Sequence, residues 1–392
     1  MADAPLKGIR VLEMARVLAG PWAGQLLADL GADVIKVENP DGGDETRQWG
    51  PPFLTDAGGE NLGAAYFHGT NRGKRSVTAD LRNKDDLAFV HRLIAQSDVL
   101  IENFKTGGLK KYGLDYEGVR KTNPKLVYCS ITGFGQTGPY SAHAGYDFII
   151  QGMSGFMSVT GEPDGQPMKA GVAFADLFTG LYAVSAIQAA LFHMMRTGEG
   201  QHIDMALMDS QVAVLANQNM NFLVTGESPK RLGNFHPNIS PYEVVPTRDG
   251  HLILAVGNDG QFARLCGVLG LDGLPDDSRF ATNRDRVANR TELHEQIAAK
   301  TEHIERDELL RRCAANAVPA GPINSIGEMF DDPQIAARGM RLDLDDGSGG
   351  TVPGVAAPMK MSLTPPHSAR AAPRLGEHNE EVRVEIDGLE KK

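Results

Sequence analysis

Up to Phe134 the chain alternates strand-like and helix-like patterns of apolar positions. "IRVLEMA" (Ile9 to Ala15) reads as a buried strand, and "PWAGQLLADLGA" after it has helical spacing, with Pro21 suited to a first turn and Gly31 to a C-terminal stop. "DVIKVE" (Asp33 to Glu38) is the next strand. "SVTADL", a helix around Lys84 to Gln96, "SDVLIENF" and "LVYCSITGF" continue the series. Strands separated by helices of this length predict an α/β fold with a parallel sheet covered on both faces.

Beyond Phe134 the spacing is mostly helical, with one further strand at "HIDMALM". Near residue 225 the character changes. "YEVVPTRDGHLILAVG" is two strand-like runs joined through Arg248-Asp249-Gly250, a hairpin signal, and amphipathic helices follow at about Gln261 to Leu269 and Thr291 to Cys313. From "DDPQIAARGM" onward the chain is rich in Gly and Pro, too short and irregular to fold alone. The pattern divides into a large α/β domain over residues 1–224, a smaller α+β unit over 225–330, and a tail, 331–392, that packs back on the first domain. No internal repeat is visible.

Composition narrows the function classes more than it alters this picture. The 392 residues exceed what one hydrophobic core usually serves. At 41% hydrophobic and 23% charged the chain reads as an ordinary soluble globular protein. A net charge of −11 argues against nucleic-acid or membrane-surface partners without excluding an anionic ligand. Cys129, Cys266 and Cys313 are odd in number and far apart, which fits a reduced, cytoplasmic setting rather than disulfides or a metal site. The N-terminus lacks a signal-peptide pattern, and no apolar run reads as long enough to span a membrane.

The strand–helix–strand start ending at Glu38 is reminiscent of a nicotinamide-binding unit, but its turn reads "MARVLAGPWAG". G-x-G-x-x-G is absent, and Pro21 removes an N–H where a pyrophosphate needs a donor. H-E-x-x-H, G-x-x-x-x-G-K-[ST] and G-x-S-x-G are absent as well. What stands out is "KAGVAFADLFTGLYAVSAIQAALF" (Lys169 to Phe192), in which Asp176 is the single carboxylate among small and apolar residues. An unpaired carboxylate is costly to bury, so it either caps the helix that follows or serves chemistry. The two roles are compatible, because an aspartate capping a helix N-terminus is stabilised as the anion and would be an ionised nucleophile at neutral pH. "NRGKRSV" places Arg72, Lys74 and Arg75 before a strand, either as phosphate contacts or as a solvated basic turn. "GFGQTGPY" (Gly133 to Tyr140) is a glycine-rich loop at a strand's C-terminal end, where open α/β sheets bind ligands.

Together with "RVLAGPWAGQLLADLGADVIKVE", "GDETRQWGPP", "IENFKTGGLKKYGL", "AGYDFIIQGMSG", "TGEGQHIDMALMDS", "VPAGPINSIGEMFDDPQ" and "PRLGEHNEEV", these segments resemble the class III CoA-transferases in order and nearly end to end. That family includes the formyl-CoA:oxalate and carnitine CoA-transferases. "WGPPF", "YCSITGFGQTGP" and "GNDGQFARLCGVLG" look most like its succinyl-CoA-dependent members that act on dicarboxylic acids such as glutarate. The resemblance implies transfer of CoA from an acyl-CoA to a carboxylic acid, with coenzyme A thioesters as substrates and neither a permanently bound cofactor nor a metal. It makes Asp176, in the family's G-x-x-x-x-D segment, the nucleophile of a route through mixed anhydrides and an aspartyl-CoA thioester.

By the same resemblance the backbone of Val17, Leu18 and Ala19 meets CoA. Lys74 and Arg75 lie near its nucleotide phosphates, Asn103 and Phe104 near pantetheine and adenine, and Tyr146 in the active-site wall. Arg16 and Arg47 are candidates for a dicarboxylate's second charge, although Arg47 has Asp44 and Glu45 as alternative partners. The family's 2-methylacyl-CoA racemases carry Gly-His-Asp where this chain has Gly145-Tyr146-Asp147, and a phenol is a poor base near neutral pH. Racemisation is therefore the alternative, beside carnitine-like, aryl or branched acceptors. Leu18, Asn39 and "NFHPNISPY" replace a glutamine, an arginine and a tetraglycine lid of the oxalate enzymes, which argues against oxalate. The implied architecture is a Rossmann-like large domain with a small inserted α+β domain, two chains interlocking as a homodimer.

Overall fold

Each strand expected before residue 225 forms, and all six lie in one parallel sheet: β1 Arg10–Met14, β2 Asp33–Glu38, β3 Arg75–Thr78, β4 Val99–Glu102, β5 Val127–Thr132 and β6 His202–Ala206. Their order across the sheet is β3-β2-β1-β4-β5-β6, so the chain winds outward from β1 in both directions and reverses between β1 and β4. The structure is a computed structural model and describes residues 4–367 and 370–389. These divide into two compact units, one of residues 4–156, 169–224, 333–367 and 370–389, the other of Met157–Met168 and Thr225–Asp332.

In the first unit, helices α1 Ala19–Asp29, α2 Lys84–Ala95, α3 Asp147–Met153 and α4 Phe174–Thr197 accompany the sheet. Val11, Val34, Val99 and Val127 point to one face, where they pack with Ala23 and Leu27 of α1 and Ala183 and Ile187 of α4. Leu12, Ile35 and Leu100 point to the other, against Phe89 and Leu93 of α2 and Val382 and Ile386 of the C-terminal helix Asn379–Leu389. Coverage on both faces is why these strands read as apolar runs instead of alternating. The tail is more regular than its Gly and Pro content suggests, because it also forms the hairpin Arg341–Asp345 with Thr351–Val355.

The α4 helix corrects one expectation. By length and composition it is apolar enough to cross a membrane, although 44% of its most apolar window is buried in the protein. Its buried face (Ala175, Thr179, Gly180, Ala183, Ile187) lies on the core, and Leu181, Tyr182, Phe192 and Met195 are exposed. Contact with α1 is close. A Cβ on Gly180 would lie 2.8 Å from the Ala19 carbonyl oxygen and 2.9 Å from Trp22 Cδ1.

The second unit has its own sheet. β7 Tyr242–Thr247 and β8 Gly250–Ala255 form the expected hairpin, and β9 Ala320–Pro322, too short to read from pattern, pairs with β8. Helices α5 Asp259–Leu269, α6 Arg290–Thr301 and α7 Arg306–Ala315 cover it through Phe262, Leu265, Leu293, Ile297 and Leu309. The single helix expected over Thr291 to Cys313 is broken. Glu305 is extended (ψ 142°), and the Arg248 N–H at the hairpin turn donates to the Ile304 carbonyl at 2.9 Å, which ties the break to the sheet.

Gly180→Ala is expected to destabilise the protein by about 1–3 kcal/mol, the usual cost of overpacking. Calorimetry would show this as a lowered unfolding midpoint, and an unchanged midpoint would mean that α1 and α4 do not meet here.

Candidate active site

Four charged side chains from separate segments are fully buried together near the ends of β1 and β2: Glu13, Lys36, Asp44 and Lys74. Lys36 Nζ lies 3.0 Å from Glu13 Oε1 and 3.0 Å from Asp44 Oδ2, and donates to the Ala15 carbonyl at 2.7 Å. Lys74 Nζ donates to Glu13 Oε1 at 2.9 Å and to Pro21 O and Asn71 Oδ1 at 2.8 Å each. Burial disfavours the Lys36 cation, but Glu13, Asp44 and Glu38 together outweigh it and hold its pKa above the ordinary value. For Lys74 burial prevails, and its pKa falls to about 8.

The network fixes the turn after β1. Asp44 accepts the Val17 N–H at 3.2 and 3.3 Å, and Val17 has φ +71°, a left-handed conformation that β-branched residues rarely adopt. Such strain costs roughly 1–3 kcal/mol and persists only where surroundings enforce it. Asn103, just past β4, clamps the preceding residue from both sides, its Oδ1 accepting the Arg16 N–H at 3.0 Å and its Nδ2 donating to the Arg16 carbonyl at 2.7 Å.

Where the sheet order reverses, these loops enclose a cavity of about 510 Å³, the crevice in which open α/β sheets bind ligands. Its walls are Arg16, Val17 and Ala19 after β1, residues 103–106 after β4, Thr132 and Gly133 at the end of β5, the loop 141–146, and Asp176. Two loops meet there backbone to backbone. A Cβ on Gly133 would lie 2.4 Å from Gly145 Cα.

Asp176 is the third residue of α4, and the cap position is Ala173. The expectation that Asp176 caps its helix is therefore corrected. Asp147 serves the helix start instead: its Oδ1 accepts the Ala175 N–H at 2.8 Å, and its Oδ2 accepts Gln151 Nε2 at 2.7 Å. Gln151 Oε1 in turn accepts the Ala170 N–H at 2.9 Å. Burial, and then the Asp147 charge, push the Asp176 pKa up to about 7, against the opposing effect of a hydrogen bond from the Ala19 N–H. The carboxyl is thus poised near neutrality rather than fully ionised.

Of the residues singled out from sequence, Arg16, Val17, Ala19, Asn103, Phe104, Tyr146 and Asp176 line this cavity. Leu18 does not, since it precedes the first turn of α1 with its side chain buried. The ammonium of Lys74 is enclosed in the network described above. Arg75 turns to Asp33, Glu381 and Glu385. Neither lines this cavity. Arg47 pairs with Glu38 at 2.7 Å, not with Asp44 or Glu45, and lies 3.8 Å over the Phe67 ring. Lys105, Lys111 and His143 line the cavity unforeseen. The role of Asp147 was missed too, because a capping bond to a residue 28 positions on leaves no local pattern.

Comparison with known proteins adds four findings. Residues 6–379 match the model of "CoA-transferase family III". The chain is 66% identical over 387 residues to the succinate–glutarate CoA-transferase of Agrobacterium fabrum, covering 99% of this chain and 97% of that protein. It is 40% identical to the human succinyl-CoA:glutarate CoA-transferase, covering 97% of this chain and 86% of that one. The crystal structure of a CAIB/BAIF family protein from Brucella suis superposes with a TM-score of 0.88 at 56% identity, covering 98% of this chain and all of the other.

Asp176 carries a sign that can be measured. Its folded pKa is raised, so the fold favours the protonated acid. Stability attributable to this group is present at low pH and is lost as pH rises from the ordinary aspartate range through about 7. Asp176→Asn is expected to raise the unfolding midpoint at pH 8 and to leave it nearly unchanged at pH 4. Reactions that need the carboxylate should gain rate through about pH 7, and Asp147→Asn should move that limb to lower pH. A limb that stays in place would remove Asp147 from the electrostatics of the site.

Proposed function

The chain belongs to CoA-transferase family III and is a CoA-transferase, and from that premise we propose that it carries CoA between succinyl-CoA and glutarate by a covalent route on Asp176. The carrying observation is the Asp176 carboxylate, which lines the cavity at the sheet's reversal point beside a backbone N–H donor. A carboxylate less stabilised than in water is a better nucleophile, and its raised pKa still leaves an ionised fraction at neutral pH.

In this reading Asp176 attacks the thioester carbonyl of the donor, the C–S bond breaks, and a mixed anhydride forms with release of CoA thiolate. The thiolate attacks the aspartyl carbonyl and expels the donor acid as its carboxylate, leaving an aspartyl-CoA thioester. The acceptor carboxylate attacks that carbonyl, the thiolate leaves again, and a second anhydride passes its acyl group to the thiolate. Asp176 is regenerated and no net proton is exchanged. The names of the Agrobacterium and human relatives support succinate and glutarate as the acids. The cations Lys105 and Lys111 support binding of an anionic cosubstrate.

The reading extends to a homodimer in a cytoplasmic setting, with the second unit as a small inserted domain. Support for the dimer comes from the apolar residues that α4 leaves exposed, Leu181, Tyr182, Phe192 and Met195, together with Leu223 and Val224. Apolar patches of this kind mark association surfaces.

Wild type given succinyl-CoA and a panel of glutarate, oxalate, carnitine and aryl acids is expected to form glutaryl-CoA preferentially. Asp176→Ala should lose at least about a thousandfold in rate. Transfer by the variant at the wild-type rate would end the covalent reading, and absence of transfer to any dicarboxylate would end the choice of acids.

A further inference from the structure

A dicarboxylic acid brings a second negative charge into the cavity, and something must receive it. Arg47 is committed elsewhere, held by Glu38 and donating to the Pro373 carbonyl at 3.1 Å. The Lys and Arg side chains that line the cavity are Arg16, Lys105 and Lys111. Lys105 and Lys111 belong to the segment beyond β4, and Lys111 Nζ sits 4.7 Å over the Tyr112 ring. Arg16 belongs to the turn whose Ala19 N–H meets Asp176. Three residues of chain hold the Arg16 and Ala19 Cα atoms within about 11 Å of one another at most. Arg16 and Asp176 line the same cavity, so an acid with one carboxyl at Asp176 has Arg16 among the cations available to its other end.

Arg16 already has a partner. Its Nη1 pairs with Glu45 Oε1, and Glu45 lines the same cavity. The Arg16 backbone is held by Asn103, and Glu45 is followed by Thr46, whose N–H donates to the Asp44 carboxylate, yet the Arg16 and Glu45 side chains are 48% and 45% exposed. Exposed ion pairs contribute little, so exchanging one carboxylate for another on the guanidinium fork is nearly neutral. Resting on the CoA-transferase reading above, we propose that Glu45 holds Arg16 in the place that the substrate's distal carboxylate takes on binding. A dicarboxylic acid displaces it from Arg16, and this exchange sets the preference for dicarboxylic over monocarboxylic acids. A monocarboxylic acid leaves the pair intact and must set its apolar end against two charges.

The test compares glutarate with pentanoate as acceptors at saturating donor, for wild type, Glu45→Gln, Arg16→Gln and Arg16→Lys. Glu45→Gln is expected to lower KM for glutarate about two- to fivefold, as loss of an exposed competitor allows, with a smaller effect on the pentanoate constants. Arg16→Gln should raise KM for glutarate at least about tenfold and change the pentanoate constants far less, and Arg16→Lys should recover part of the loss. Both sites are half exposed, so unfolding midpoints near wild type are expected throughout. A Glu45→Gln enzyme with unchanged glutarate KM, or equal effects on both acids, overturns the inference; equal loss in Arg16→Gln would mark Arg16 as a contact to the shared CoA portion. If wild type uses glutarate while Glu45→Gln is silent, this inference alone falls. If wild type uses no dicarboxylate, the glutarate reading falls and takes this one with it.

Discussion

Glu13 receives both Lys36 and Lys74 in the interior of the sheet unit, and Lys36 reaches on to Asp44. Moving such charges out of water is costly, and their mutual attraction offsets the cost only when each has a partner. The arrangement joins β1, β2, the loop at residue 44 and the approach to β3, and through Asp44 it holds the strained Val17. The walls of the cavity are thus set from beneath, by groups no solvent reaches. That explains how loop residues can present backbone donors at fixed positions while the cavity itself stays open.

Asp176 lives with two opposing demands. It must be buried enough to be reactive and ionised enough to react. The pull of Ala19's N–H lowers its pKa, and burial and Asp147 raise it, with a balance near neutrality. Asp147 has two effects at once, since the oxygen that orders the start of α4 belongs to the charge that raises the pKa of Asp176. One carboxylate is spent on geometry and the other is left for chemistry.

The sheet was legible because burial on both faces leaves apolar runs, and Asp176 was legible because a lone acid among small apolar residues has few structural excuses. Partners were not legible. Lys74 and Arg75 sit side by side in a basic turn, yet one meets Glu13, 61 positions earlier, and the other meets Glu385, 310 positions later. Local pattern carries charge but not the fold that neutralises it. The break between α6 and α7 was hidden for a similar reason, since it is fixed by a bond to a hairpin turn distant in sequence.

The sharing of Glu13 also bears on how this chain can change over generations. A substitution at Glu13, Lys36, Asp44 or Lys74 strands a charge in the interior, and breaking a buried pair typically costs about 3–5 kcal/mol, a large part of a domain's stability. Those four positions can drift only in concert. Arg16 and Glu45 on the cavity wall are half exposed and can be replaced singly at little cost. Acid preference can therefore change one residue at a time, while a change in the chassis beneath it needs several together.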